Sequence, residues 1–220
     1  MIRPAEALLD LLFPRKCAFC HRLLERGERG TCNACAKLLL HMDAQERSGE
    51  FFSACAAALP YEEPVRGSIR RYKFSGRREY AAVYAPILAA VIRERLDGKF
   101  DAVTWVPVSA KRLRKRGYDQ AELLARETAA LLGAPVFRML KKRRNNPAQS
   151  TLPADRRRAN VLGAYESVKP EAFSGKRILL IDDVVTTGAT LSECSRVLRT
   201  AGANDVVCAA LAAAGMTKGT

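Results

Sequence analysis

No stretch of this chain reaches the eighteen or so consecutive apolar residues of a membrane-spanning helix, so a helical membrane protein is not expected. The opening residues, MIRPAEALLDLLFP, carry leucines at amphipathic spacing but only a short apolar block, broken by Asp10 and without a small-residue cleavage site. They read as a short docking helix rather than a signal peptide, and the expected location is cytoplasmic. Neither GxxxxGKS, GxxxxGKT nor GxGxxG occurs, which removes two common nucleotide-binding loops. Internal repeats are absent. Aromatic side chains make up 7% of the residues, little material for an extended base-stacking surface. Acids are also scarce: 23 against 37 lysines and arginines, a formal net charge of +14 that directs attention to polyanionic ligands. Between Val106 and Arg158 fourteen bases face four acids, so this one segment carries +10 of the excess.

At 220 residues, 48% of them hydrophobic and 27% charged, the chain has the composition of a folded protein with room for one α/β domain and a small appended module. The cysteines define the module. Cys17-Ala18-Phe19-Cys20 and Cys32-Asn33-Ala34-Cys35 are two CxxC pairs separated by eleven residues, with Gly27 and Gly30 between them for tight turns. Two such knuckles can bring four thiolates to one tetrahedral centre, each about 2.3 Å from Zn²⁺, and a closed four-sulfur site leaves no open position for chemistry. Structural zinc on Cys17, Cys20, Cys32 and Cys35 is therefore expected. Disulfides suit a reducing compartment poorly, and metal-free or redox-active thiols are the alternatives. His21 and His41 read as surface residues, and Cys55, Cys194 and Cys208 as small buried ones. Residues 36–54 lack clear periodicity and read as a linker, which divides the chain into a module at 1–54 and a main domain at 55–220.

The main domain is organised around Arg177–Thr190, RILLIDDVVTTGAT. Ile178-Leu179-Leu180-Ile181 is the unbroken branched run of a buried parallel strand, expected to end at about Asp182. Thr186-Thr187-Gly188-Ala189-Thr190 then supplies hydroxyls and closely spaced N–H groups at the start of a helix predicted over Ala189–Ala201, where the helix dipole favours an anion. Asp182 and Asp183 place two carboxylates at the carboxyl end of the strand, where open α/β sheets bind ligands and where sugar hydroxyls can donate to them. A sugar phosphate fits both halves. Taken singly, the acids could be a helix cap with a solvated neighbour and Gly188 an ordinary turn residue.

Upstream, Cys55–Tyr61 reads as a strand, and Pro64–Lys73 as a helix ended by Tyr72-Lys73-Phe74-Ser75-Gly76. Glu79–Leu96 reads as a helix in which Pro86 marks a kink or a start. Phe100–Val108 is a second buried strand, followed by the basic stretch Ser109–Gln120 and an amphipathic helix to Leu132. Basic residues in that place, Lys111 and Arg112 among them, can receive a pyrophosphate, although a solvated helix entry has the same composition. A strand is expected over Val136–Leu140. Lys141–Asn160 then reads as a long basic loop, either a lid or plain disorder in the absence of ligand, and Asn204–Ala214 as a last strand beside 178–181.

The ordered pattern at 178–190 resembles the signature of type I phosphoribosyltransferases. VPVSAKRLRKRGYDQAELLA narrows the likeness to the ComF family of competence-associated phosphoribosyltransferase-like proteins, with Trp105, Ser109 and Asp119 standing where proline, histidine and asparagine are usual. KKRRNNPAQSTLPADRRRAN is similar to that family's R-x-T-x-x-Q stretch through Arg144, Gln149, Leu152, Arg157 and Asn160, with Asn146 in place of threonine. The resemblance implies a type I phosphoribosyltransferase fold and a ligand, phosphoribosyl pyrophosphate (PRPP). It implies that Asp182 and Asp183 contact the ribose hydroxyls and support Mg²⁺ directly or through water. It further implies that Thr186, Thr187, Gly188, Ala189 and Thr190 hold the 5′-phosphate, that Ser109, Lys111 and Arg112 line the pyrophosphate loop, and that Arg144, Gln149, Arg157 and Asn160 belong to a closing lid. Partners implied are single-stranded DNA entering the cell and a DNA-translocating helicase.

The acceptor is not specified by any residue pattern. Three readings follow: transfer of ribose 5-phosphate to an unknown acceptor, nucleobase salvage included; a single-stranded-DNA-binding accessory in which Trp105, Tyr118 and Phe137 stack bases; and an adaptor that senses nucleotides without turnover.

Overall fold

The structure is a computed structural model that describes residues 14–40, 42, 45–143 and 161–215. Its centre is a five-stranded sheet. In chain order the strands are β1 (Gln45–Arg47), β2 (Ala54–Pro60), β3 (Ala102–Trp105), β6 (Arg177–Val185) and β7 (Asp205–Ala213), and their spatial order is β1-β2-β7-β6-β3. β2, β7, β6 and β3 run parallel, while β1 pairs antiparallel with β2 at the edge. A two-stranded antiparallel ribbon, β4 (Leu140–Lys142) with β5 (Tyr165–Ser167), stands apart. The helices are α1 (Asn33–Leu40), α2 (Val65–Phe74), α3 (Tyr80–Leu96), α4 (Ala110–Arg116), α5 (Gln120–Leu132) and α6 (Ala189–Thr200). This is the expected mostly parallel α/β sheet flanked by helices.

The apolar runs at 178–181 and 206–213 are continuous because both faces of the sheet are covered, so alternation with polar residues has no solvent to point toward. Leu179 and Ile181 face a core built with Tyr72, Tyr84, Leu88, Ile92 and Leu124 of α2, α3 and α5. Ile178 and Leu180 face a second core with Leu191, Cys194 and Leu198 of α6 and with Met139, Tyr165 and Phe173. The parity of that alternation decides where the two acids point.

Four sequence expectations change. β6 does not stop at Asp182: its register with β7 continues through Asp182↔Ala210, Val184↔Ala212 and Val185↔Ala213, so both acids lie inside the sheet. The small alanines of β7 give that strand no reason to end earlier. Residues 36–54 are not a bare linker, since they include most of α1 and the edge strand β1. The strand expected over Val136–Leu140 reduces to one bridge, Val136 with Val103, and the regular ribbon begins only at Leu140. Pro86 lies inside a continuous α3; its ring occupies the second turn, where the lost N–H leaves one carbonyl bond unmade without ending the helix. The docking helix expected at the N-terminus and the lid residues Arg144, Gln149, Arg157 and Asn160 lie outside the described residues.

Leu180 is wholly buried in β6, an interior strand of the sheet. Leu180→Ala should lower unfolding free energy in urea by about 2–5 kcal/mol. The exposed Leu162→Ala should change it by less than about 0.5 kcal/mol.

Candidate functional site

The four module cysteines meet. Their Sγ atoms lie within 4.8 Å of one another, with Cys20 and Cys32 sulfurs 3.7 Å apart, close to the edge of about 3.8 Å expected for four sulfurs around one zinc. The Cys32 N–H donates to Cys17 Sγ and the Cys35 N–H to Cys32 Sγ, both at 3.4 Å, as in a knuckle whose backbone wraps its own ligands. Burial works against a Cys32 thiolate, but the Cys35 N–H and the Arg22 guanidinium outweigh it and bring the thiol down to about 6. Buried Glu28 braces the turn by accepting from Glu25 N, Asn33 N and Arg22 at 2.7–2.8 Å. This donor set suits a thiophilic metal. The module is fixed to the body where Ser68 and Arg71 of α2 donate to the Ala18 carbonyl and Phe19 meets Tyr84 edge-on at 5.8 Å.

The second cluster forms at the carboxyl end of the sheet. Odd positions of β6 face α2 and even ones face α6, so Asp183 and Asp182 diverge. Asp183, 3% exposed, meets Lys73 of α2, whose ammonium is 2.8 Å from Oδ1. Asp182 is half-buried on the other face, within electrostatic reach of Lys142 and Tyr165 on the ribbon. Burial first, and then the neighbouring Asp183 charge, push the Asp182 carboxyl well above the usual range, while Lys73 draws it back. Lys142 donates to the Tyr165 hydroxyl at 3.0 Å and sits 4.8 Å from the ring centre; burial and Arg112 hold its ammonium below the ordinary lysine value.

Directly after β6 the backbone turns at Gly188, left-handed at φ +76, into the first turn of α6. Only glycine takes that conformation freely, and the turn opens the N-terminus of α6 three residues after β6 ends. Ala189 N donates to Thr187 Oγ1 at 3.4 Å. The basic stretch after β3 is a helix rather than a loop: Ser109 caps α4 by accepting from Arg112 N, and a left-handed Gly117 ends it. Lys111, Arg114 and Lys115 are exposed on α4, and Arg112 is half-buried. Asp119 then caps α5, accepting from Ala121 N and Glu122 N, and its other oxygen accepts from Val108 N at 2.9 Å. Burial pushes its carboxyl up to about 6 even though these N–H groups pull down. One side chain thus joins the two ends of the basic segment.

The residues predicted from sequence gather as two groups, Asp182 to Thr190 and Ser109 to Arg112, at neighbouring strand ends. Lys73, Lys142, Tyr165 and Arg116 were missed as site residues. Lys73 stands in the Tyr72–Gly76 stretch that ends α2, where its inward turn has no local signal; Lys142 and Tyr165 had none either, because only the ribbon's register makes them partners. Two of the three aromatics expected to stack bases cannot do so. Trp105 and Tyr118 are 2% and 5% exposed, packed under Arg126 and Arg78 in the core. Phe137 is 41% exposed but lies beside Lys176, at the opposite end of β6 from the acids.

Comparison with known proteins adds to this geometry. Residues 119–219 match the phosphoribosyl transferase domain family. Competence protein ComFC of Streptococcus pneumoniae is 30% identical over 197 residues, covering 86% of this chain and 84% of that protein. Competence protein F of Haemophilus influenzae is 28% identical over 217 residues, covering 88% and 95%. Among solved structures, the glutamine PRPP amidotransferase of B. subtilis superposes with a TM-score of 0.44 at 22% identity, over 64% of this chain and 30% of its own, too distant a likeness to support more. No helix among the described residues is long and apolar enough to cross a membrane.

Asp119 gives a test by pH. Its folded pKa lies above its unfolded value of about 3.9, so the folded state holds the extra proton and stability falls as pH rises from about 4 to 6. Asp119→Asn keeps an acceptor for Val108 N and removes that loss. The variant should gain on the wild type across this window by up to about 3 kcal/mol in urea unfolding. A constant difference between pH 4 and 7 would contradict the buried carboxyl.

Proposed function

The chain belongs to the ComF family and carries a phosphoribosyltransferase fold behind a four-cysteine cluster, and from that premise we propose that it binds PRPP across the carboxyl ends of β3 and β6. The observation that carries this reading is the junction of β6 with α6. Two acids in the second half of β6 are followed, a few residues on, by a left-handed glycine and a helix N-terminus, an arrangement that offers acceptors to a diol and amides to a phosphate.

The roles follow from position. Asp182 and Asp183 receive the ribose hydroxyls. Thr186, Thr187, Gly188, Ala189 and Thr190 hold the 5′-phosphate, and Ser109, Lys111 and Arg112 hold the pyrophosphate, with Arg144, Gln149, Arg157 and Asn160 in a lid that excludes water. Asp183 Oδ2 is buried without a hydrogen-bond partner, as an oxygen awaiting a hydroxyl or a cation would be, and the all-oxygen donor set suits Mg²⁺. Mg²⁺, when bound, neutralises charge on the pyrophosphate. In a transfer step the bond from the anomeric carbon to pyrophosphate breaks as the acceptor's bond forms. The acids then offset positive charge developing on the sugar, while Lys111 and Arg112 retain the leaving group.

We further propose that the protein serves DNA uptake in natural transformation, on the cytoplasmic side and beside a DNA-translocating helicase. The support is the competence role in the relatives' names. The exposed Lys111, Arg114 and Lys115 favour a second reading, in which a single strand's phosphates share the site; that mode would be electrostatic, because the buried Trp105 and Tyr118 contribute no stacking. The division into a cysteine module and a main domain near residue 54, and zinc as the module's metal, are part of the same proposal.

Calorimetric titration of PRPP with Mg²⁺ should give saturable binding to the wild type and a loss of about 100-fold or more in Asp182→Ala, Asp183→Ala. Absent wild-type binding, or equal binding by the variant, would refute the site. Elemental analysis should find one zinc per chain, lost in Cys20→Ser, Cys35→Ser, and chelation should lower the melting temperature. Full stability in strong chelator without metal would refute the zinc.

A further inference from the structure

The proposed binding roles leave Lys73 unused, although its ion pair with Asp183 is the most buried one at the sheet's carboxyl end. The lysine side chain is 20% exposed and the aspartate's 5%. Elsewhere on α2, Arg66 pairs with Glu63 at the surface, Arg70 is exposed and Arg71 turns to the Ala18 and Phe19 carbonyls of the cysteine module, whereas Lys73 turns to an acid of the sheet.

The pose is held from several directions. The Tyr72 hydroxyl donates to the Gln120 carbonyl at 2.7 Å, and the Tyr118 hydroxyl donates to the Tyr72 carbonyl. Tyr72 also meets Tyr84 edge-on at 5.3 Å. The last turn of α2 is thereby locked to the junction of α4 with α5, the same junction that orients the basic segment. Arg116 is near enough to feel the Asp183 charge but is committed to the Gln120 side chain and the Phe74 ring.

Asp182, half-buried, and Asp183, buried, are adjacent, and Asp119 lies within electrostatic reach of Asp182. Neighbouring carboxylates repel, and a cation placed against one of them offsets that repulsion. Lys73 takes one oxygen of Asp183, and the other is the unpartnered, buried Oδ2. A carboxylate fixed by one oxygen and unpartnered at the other has one acceptor left for a hydroxyl.

We infer that Lys73 is a positioning residue of the polyphosphate-sugar site, a resident counter-cation that holds the Asp183 carboxylate in place so that ligand binding depends only in part on a divalent cation. This rests on the PRPP reading above. Arginine can supply the same charge to the same oxygen, whereas methionine and glutamine cannot.

The test is calorimetric binding of PRPP from chelator to millimolar Mg²⁺, for the wild type and for Lys73→Met, Lys73→Gln and Lys73→Arg, each checked for folding by circular dichroism. The wild type should lose no more than about tenfold in affinity when Mg²⁺ is removed, and the Met and Gln variants about thirtyfold or more. At millimolar Mg²⁺ those variants should return to within about threefold of the wild type, and Lys73→Arg should follow the wild-type curve throughout. A merely structural lysine would weaken binding equally at every Mg²⁺ concentration. Parallel curves for wild type and whichever of the Met and Gln variants folds, or a wild type that binds nothing without Mg²⁺, would overturn the role of Lys73 while leaving the PRPP site in place. No binding by the wild type at any Mg²⁺ concentration would remove the site itself.

Discussion

Two carboxylates at the end of a strand buried on both faces impose the central constraint on this structure. Adjacent strand residues point to opposite faces, so a cation in contact with one acid acts on the other only at longer range. Asp183 is met by Lys73 from α2, and Asp182 lies within electrostatic reach of Lys142 on the other side. The tyrosine lock on α2, the cap that joins Val108 to α5 and the ribbon that carries Lys142 all bring positive charge to the acids from different elements.

The cysteine module takes part in the same arrangement. It touches α2 and α3 rather than the acids, through Ser68, Arg71 and the Phe19–Tyr84 contact. Tyr84 in turn packs against Tyr72, one residue before Lys73. A closed four-sulfur centre has no open position for chemistry, but it can brace the helix that carries Lys73.

Much of this was legible in the sequence. The unbroken run at 178–181 required a strand covered on both faces, and the Thr-Thr-Gly that follows required a turn into a helix; both are present. The paired CxxC knuckles converge as their spacing demands. The extension of β6 to Val185 was not legible, because two aspartates resemble the end of a strand and only the alanines of β7 alongside allow it to continue. Lys142 and Tyr165 meet across a register that no local pattern announces. Trp105 and Tyr118 look like stacking residues in a basic segment, yet each is covered by an arginine, and burial rather than composition decides their role.

The most direct measurement is hydrogen–deuterium exchange of the whole protein with and without PRPP and Mg²⁺. A ligand held by the amides of the α6 N-terminus and by the basic segment should slow exchange in peptides covering 186–191 and 108–113 together, with the cysteine module unchanged. Slowing confined to the cysteine module, or no change at 186–191 under saturating ligand, would contradict a phosphate site at the end of β6.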